Sequence, residues 1–315
     1  MFYSLLKTYA RLALPLYCTK IVVNKKELLK IKGPVLFAAN HPNSFLDGVI
    51  LSTILDQTLY SLTRGDVFKN KTAGKILTWL KLLPVYRTSE GVQNLAHNYT
   101  TFAACHEVFK KEKIVLIFSE ASSINEWKLR PLRKGTARLA FSSWSQGLNV
   151  KVIPLAFNYN SFKKFGKEVH LNFGKEIESE TFKNDTDGRQ LNDFTQLLEA
   201  QLRSLVYDAN SEGEARKFFL PANKLRTAFL FIPGILGWLL HAPLFYTCRL
   251  VTASRFKNSD HYDGVLTALL FFSYPFYVLL LALLSGSQNL IFGALVFLAL
   301  PLLAWCWMQV KHLFE

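Results

Sequence analysis

Residues 264–284 run for 21 positions without one charged side chain, and residues 290–308 form a second run of the same kind. A helix of that length rises about 30 Å, the thickness of the hydrocarbon core of a bilayer. Inside lipid, backbone polar groups must be satisfied within the segment itself, so such a pair predicts a transmembrane helical hairpin. The turn between the runs, Ser285-Gly286-Ser287-Gln288, carries no charge, whereas Arg249, Arg255 and Lys257 precede the pair and Lys311 follows it. Basic residues stay on the cytoplasmic side, which predicts a membrane location with both hairpin ends, and the basic bulk of the chain, facing the cytoplasm. Residues 227–251 are also apolar, but Pro233-Gly234 and Pro243 interrupt them. They are expected to form a broken or re-entrant segment, since that keeps the number of crossings even. Three full spans are the alternative.

The rest of the chain differs sharply in composition. Of 37 Lys and Arg and 23 Asp and Glu, all but four basic and three acidic residues lie before residue 227, and the net charge is +14. So basic a balance points to an anionic partner, either a nucleic acid or an anionic membrane surface. The apolar C-terminal third favours the phospholipid bilayer, and no nucleic acid partner is expected. Cys18, Cys105, Cys248 and Cys306 are too scattered for a metal site or a disulfide framework, so no metal is expected and a reducing compartment is. Residues 1–17 lack the small-residue cleavage site of a secretory leader. Within residues 1–19, Phe2, Leu5, Leu6, Tyr9, Leu12, Ala13 and Leu16 recur at helical spacing, with Ser4, Lys7, Thr8 and Arg11 between them. This is an amphipathic helix, suited to a bilayer interface or to packing on the domain.

Between these ends, short apolar strands at 21–23, 35–39, 59–63, 114–118, 151–157 and 169–173 alternate with helices at 45–55, 73–82, 92–111 and 136–146. Alternation of this kind predicts an α/β fold with a largely parallel central sheet flanked by helices. The domain reading is an interfacial helix at 1–19, a globular domain at 20–226 with a polar, helical end after 175, and a membrane module at 227–315. His97 and His106 fall on the third helix with no carboxylate or cysteine cluster near in sequence, and are read as structural.

The segment richest in chemistry is Ala38-Ala39-Asn40-His41-Pro42-Asn43-Ser44-Phe45-Leu46-Asp47-Gly48. An apolar strand runs directly into it, and Pro42 suits the first position of a helix. His41 is thereby placed at the carboxyl edge of the sheet, where open α/β folds bind ligands. Asp47 comes six residues later, which on a regular helix is a rotation of about 600° and puts the two side chains on different faces. Contact between them requires a non-helical turn at 40–43. Given that contact, the carboxylate fixes the imidazole tautomer and leaves the other ring nitrogen as a general base.

Asn40-His41 through Asp47 resembles the first motif of the glycerolipid acyltransferase superfamily, and the resemblance extends over roughly residues 20–175. Leu83-Pro84-Val85-Tyr86-Arg87 resembles its second block, Ile117-Phe118-Ser119-Glu120-Ala121-Ser122 its third, and Val152-Ile153-Pro154-Leu155-Ala156 its fourth, in the expected order. Five residues separate His41 from Asp47 where the common form has four. That spacing resembles the glycerol-3-phosphate and dihydroxyacetone-phosphate acyltransferase subgroup. Ala121 replaces a usual glycine, so a positive φ there costs more. Ser123 stands where many relatives carry an arginine.

The resemblance implies an acyltransferase with His41 and Asp47 as the catalytic pair. It moves a fatty acyl group from an acyl-CoA or acyl carrier protein thioester, a substrate rather than a cofactor, to a glycerol-phosphate acceptor in phospholipid biosynthesis. Arg87 is implied in phosphate binding. Arg130, Arg133 and Lys134, three cations just before a helix, are the other candidates for that seat. Glu120 is a candidate for binding glycerol hydroxyls, and Trp127 and Trp144 for lining an acyl groove or packing the core. The nearest alternative is acylation of lysophosphatidate. A serine esterase is disfavoured because no Gly-x-Ser-x-Gly elbow is present and Ser44 belongs to a helix start. A non-catalytic lipid-binding membrane protein is the remaining alternative.

Overall fold

The computed structural model describes residues 2–86, 97–182, 187–221, 223–287 and 289–314. The chain divides into two compact units, one of Met1–Arg11, Val22–Tyr159 and Val169–Ser211, the other of Leu12–Ile21, Asn160–Glu168 and Glu212–Glu315. In order, the elements are α1 (Phe2–Tyr17), β1 (Cys18–Val23), β2 (Val35–Ala39), α2 (Ser44–Ile54), β3 (Leu59–Arg64), α3 (Lys71–Trp79), β4 (Leu82–Val85), α4 (His97–Lys110), β5 (Ile114–Phe118) and α5 (Gly135–Trp144). Then come β6 (Lys151–Tyr159), β7 (Lys167–Phe173), α6 (Asp187–Leu205), the short α7 (Glu212–Arg216), and three long helices, α8 (Lys224–Phe256), α9 (Tyr262–Gly286) and α10 (Leu290–Val310).

The seven strands form one sheet in the order β1-β7-β6-β2-β5-β3-β4. β2 pairs in parallel with β5 and β6, and β3 with β4 and β5, while β7 runs antiparallel to β6. The expected α/β fold with a largely parallel sheet is therefore present. Every residue of β2 is buried, as a central strand covered on both faces requires. Leu36 and Ala38 share a core with Val115 and Ile117 of β5, Cys105 and Phe109 of α4, Leu139 and Ala140 of α5, and Phe194 and Leu198 of α6. Alternation turns Leu116 to the opposite face, where α2 lies over it: a methyl on Gly48 would sit 4.0 Å from its side chain. Burying one such Leu or Phe stabilises by about 1.5–3 kcal/mol, so this two-sided core is what fixes β2 and everything that leaves its end.

The expected helix at 73–82 stops at Trp79, because Lys81 adopts a left-handed φ of 64° and the chain turns into edge strand β4. His106 lies in the interior, with its ring nitrogens 3.1 Å from Ser142 Oγ and 2.8 Å from Gln146 Nε2. Burial pushes its pKa down, and it packs as a neutral imidazole. The side chain of His97 lies outside the described residues.

In the second unit, α9 and α10 occupy the two runs expected to form a hairpin, and α8 precedes them as a third helix long and apolar enough to cross a membrane. The break expected within 227–251 is absent: α8 continues through both Pro233 and Pro243. Gly234, part of the expected break, serves close packing instead. A Cβ on it would lie 3.2 Å from the Cys306 carbonyl oxygen, and one on Gly237, a turn further along, 2.0 Å from the Leu303 carbonyl oxygen, so the backbones of α8 and α10 touch there. Near Pro243, where the helix ladder is disturbed, the Tyr277 hydroxyl donates to the Leu240 carbonyl at 2.6 Å. His241 bridges the same helices, with Nδ1 2.7 Å from the Gly237 carbonyl and Nε2 3.2 Å from the Tyr274 hydroxyl.

This unit also encloses a charge pair. Lys167 and Asp263, with side chains 0% and 1% exposed, are bonded to each other. Lys167 Nζ also donates to the Phe162 carbonyl at 2.9 Å, and Asp263 accepts the Tyr17 hydroxyl at 2.7 Å. The pair joins the 160–168 excursion to the first turn of α9.

Candidate active site

The site begins where β2 ends. The Asn40 amide accepts from Phe157 N at 2.8 Å and donates to the Phe157 carbonyl at 3.2 Å, so one side chain continues the β2–β6 ladder for a step after the backbone has left it. Residues 40–43 then form the non-helical turn that His41–Asp47 contact demands. The helix starts at Ser44 rather than at Pro42, with Asn43 non-helical at its N-cap (φ −135°, ψ 54°) and Ser44 held at a left-handed φ of 45°. Asp47 falls in the first helical turn, facing back.

His41 Nδ1 lies 2.9 Å from Asp47 Oδ2, which also accepts from Asn43 N at 3.0 Å. The other oxygen, Oδ1, accepts from the Tyr159 hydroxyl at 2.6 Å. Asp47 is fully buried, so these three donors take the place of water around its carboxylate. An ionised carboxylate only accepts, which assigns the proton to Nδ1 and the lone pair to Nε2. The imidazole lies flat on Phe118, ring centroids 3.6 Å apart and planes 10° apart, and its side chain is 14% exposed. The arrangement presents one basic nitrogen at the carboxyl edge of the sheet.

Glu120 and Arg130 are also there, turned toward each other. Glu120 Oε2 accepts from His41 N at 2.9 Å and from Arg130 Nη2 at 3.0 Å, while Oε1 accepts from Arg130 N at 2.9 Å. The same guanidinium donates to Ser122 Oγ at 2.7 Å and to the Ser122 carbonyl, and its Nε lies 3.3 Å from Glu126. Both groups thus hold the His41 backbone and the 120–130 loop in place. Arg133 and Lys134 have exposed side chains at the start of α5. Arg87, one residue beyond the end of Tyr86, lies outside the described residues. Trp127 donates to the Tyr159 carbonyl at 2.6 Å, and Trp144 packs among Phe141, Phe182 and Phe194 in the core.

Two residues bond the site in ways that the sequence did not announce. Tyr159 ends β6, 112 positions from Asp47. Ser123, in the place of an expected arginine, accepts from the strained Ser44 N at 2.6 Å.

Ala121 adopts φ 62°, the left-handed conformation for which glycine was anticipated. An L-residue is disfavoured there by about 1–2 kcal/mol. Ala121→Gly is therefore expected to raise stability by about 1 kcal/mol, less whatever the added freedom of the unfolded chain costs. Thermal unfolding in detergent measures it, and an unchanged or lower midpoint would show that the methyl group is not under strain.

Residues 20–158 match a family model described as Acyltransferase. No curated protein matches the sequence. Among solved structures, the chain is similar to the crystal structure of the 1-acyl-sn-glycerophosphate (LPA) acyltransferase, PlsC, from Thermotoga maritima, at 12% identity and a TM-score of 0.48, over 70% of this chain and 81% of that one. The matched span holds the His41–Asp47 turn, Glu120 and all but the last residue of β6, and it identifies this part of the chain as an acyltransferase domain.

Proposed function

We propose that this enzyme transfers a fatty acyl group from an acyl-CoA or acyl carrier protein thioester to a hydroxyl of glycerol 3-phosphate or dihydroxyacetone phosphate, with His41 as general base. The observation that carries the reading is the buried, triply bonded Asp47 carboxylate 2.9 Å from His41 Nδ1. As the acceptor hydroxyl attacks the thioester carbonyl carbon, its proton passes to His41 Nε2. Asp47 stabilises the imidazolium that forms, and the C–S bond breaks. The proton then leaves Nε2 for the departing thiolate, so no covalent acyl-enzyme forms. Among the described cations, Arg133 and Lys134 are free to meet the acceptor phosphate, and Arg87 is assigned to it on the motif alone. Glu120 and Arg130 keep His41 in register rather than binding the acceptor, because their polar atoms already serve each other. The apolar helices anchor the enzyme in a phospholipid bilayer, with the catalytic unit on the cytoplasmic face.

The acceptor is tested directly. Purified protein in detergent receives labelled acyl-CoA or acyl carrier protein thioester, with glycerol 3-phosphate, dihydroxyacetone phosphate and lysophosphatidate in parallel. Transfer to either of the first two supports the assignment. Transfer to lysophosphatidate alone moves the enzyme to the second acylation step, and no transfer to any of them rules out the glycerol-phosphate reading.

Tyr159 has a positioning role in the same scheme. Its hydroxyl spreads the Asp47 charge toward Oδ1, away from His41. In Tyr159→Phe the carboxylate loses one of its three donors and holds the imidazole less firmly in place, so kcat is expected to fall roughly tenfold with KM little changed, the scale of one hydrogen bond to a charged group. A folded variant that keeps kcat within a factor of two would reduce Tyr159 to a packing residue.

A further inference from the structure

Between β3 and β4 the first unit carries an excursion, residues 65–81, that buries almost nothing. Its opening 3-10 turn, Gly65–Phe68, buries only Gly65, and α3 buries no residue at all. Yet the excursion is not polar. Around α3, Trp79, Ile76, Leu80, Ala73 and Leu77 form one apolar arc. Its inner flank, Ala73, Leu77 and Leu80, is half-buried, while its outer flank is open, with Ile76 43% and Trp79 56% exposed. Lys71 and Lys75 border that flank, Lys69 stands just before the helix and Lys81 just after it. The excursion's one acidic residue, Asp66, is paired with Arg64.

The open face continues beyond α3. The Phe2 ring lies 5.9 Å from Trp79 at a 60° tilt, joining the excursion to α1, where Phe2 and Leu5 are 47% and 72% exposed. β3 runs parallel to β5, which runs parallel to β2, so α3 begins from the same edge of the sheet as His41.

We propose that α3, with the first turns of α1, is a lipid-facing surface by which the catalytic unit rests on anionic headgroups of the bilayer. Tryptophan and aliphatic side chains beside lysines, without a free carboxylate among them, are what a helix lying in a headgroup layer requires. Each lysine near an anionic surface contributes about 1 kcal/mol, so four of them suffice to orient a unit already tethered by three apolar helices. An acidic carrier protein would also meet the lysines, but it gives no reason for an exposed tryptophan and isoleucine between them. The inference stands on the surface alone and does not require the acceptor or the general base to be assigned correctly.

The test places an environment-sensitive fluorophore at Thr72→Cys, an exposed position on the outer flank, in the full chain reconstituted in nanodiscs. The four native cysteines are buried. The discs are made of phosphatidylcholine alone, or with about three parts in ten phosphatidylglycerol. Quenching by nitroxides carried on lipid chains is expected to rise severalfold with the anionic lipid, and to fall back in a Lys71→Gln, Lys75→Gln background. A matching label at Glu199→Cys, on α6, serves as reference. Equal lipid quenching at the two positions in both discs would overturn the proposal. So would lipid quenching at position 72 that stays at reference level while an acidic carrier protein, added alone, shifts the emission; that result assigns the surface to the carrier.

Discussion

Acyl transfer by the His41→Ala enzyme is expected to fall by about 10²–10⁴-fold in kcat, the range lost with a positioned general base. The fold should survive, since the imidazole is partly exposed and its removal leaves only Asn43 N and Tyr159 to bond Asp47. Asp47→Asn is the sharper probe of the arrangement. An amide keeps an oxygen for His41 Nδ1 and Asn43 N and turns its NH2 group to the Tyr159 hydroxyl oxygen, so this variant keeps the turn but loses the charge that supports the imidazolium, and rate falls with it. Circular dichroism and thermal melting check that both variants are folded. A folded His41→Ala protein that keeps its rate within a factor of ten would end the general-base assignment.

The largest stability effect is expected in the second unit, at Asp263. Truncating one partner of a buried ion pair strands the other, and the cost is about 3–5 kcal/mol. In Asp263→Ala the Lys167 ammonium loses its buried countercharge, which the Phe162 carbonyl and the Tyr17 ring, its centroid 5.4 Å away, do not replace. Asp263→Ala should therefore unfold the second unit at much lower denaturant, and adding Lys167→Met should restore most of the loss. Chemical unfolding in detergent reads both. If the single variant melts within about 1 kcal/mol of the parent, the pair is not holding the excursion to α9.

Strand positions were legible because buried parallel strands are short apolar runs bounded by polar ones, and β2 and β5 fall where the sequence places them. β4 was hidden by its neighbours. Leu82 continues the apolar spacing of α3, and nothing local announces that Lys81 takes a left-handed turn. The His41–Asp47 contact could be stated only as a condition, since helical periodicity alone separates the two residues; the non-helical Asn43 and left-handed Ser44 satisfy it. Tyr159 was out of reach for a different reason. Alternation along β6 tells which residues share a face, but not which distant carboxylate one of them meets. In α8 the sequence misled: Pro233-Gly234 reads locally as a break, and only the close backbone of α10 gives Gly234 another purpose.

At Arg130, position in the sequence and side-chain surroundings point to different roles. Its position before α5 placed it among the phosphate candidates together with Arg133 and Lys134. The guanidinium turns inward because Glu120, Ser122 and Glu126 lie within its reach. Charge in a sequence marks where a cation stands, and its neighbours decide what it holds.

The amide of Asn40 has one more implication. It stands in for a peptide group, offering an N–H and a C=O to the same partner residue. Aspartate in that place would turn two acceptors toward Phe157, satisfying its N–H but setting an oxygen against its carbonyl. Glutamine would reach one methylene too far, and leucine, of the same branched shape, would leave both backbone groups dry and unmet. Position 40 therefore admits one residue for reasons of grammar rather than chemistry: the strand must end there in something that still reads as backbone, so that His41 can leave the sheet without unravelling it.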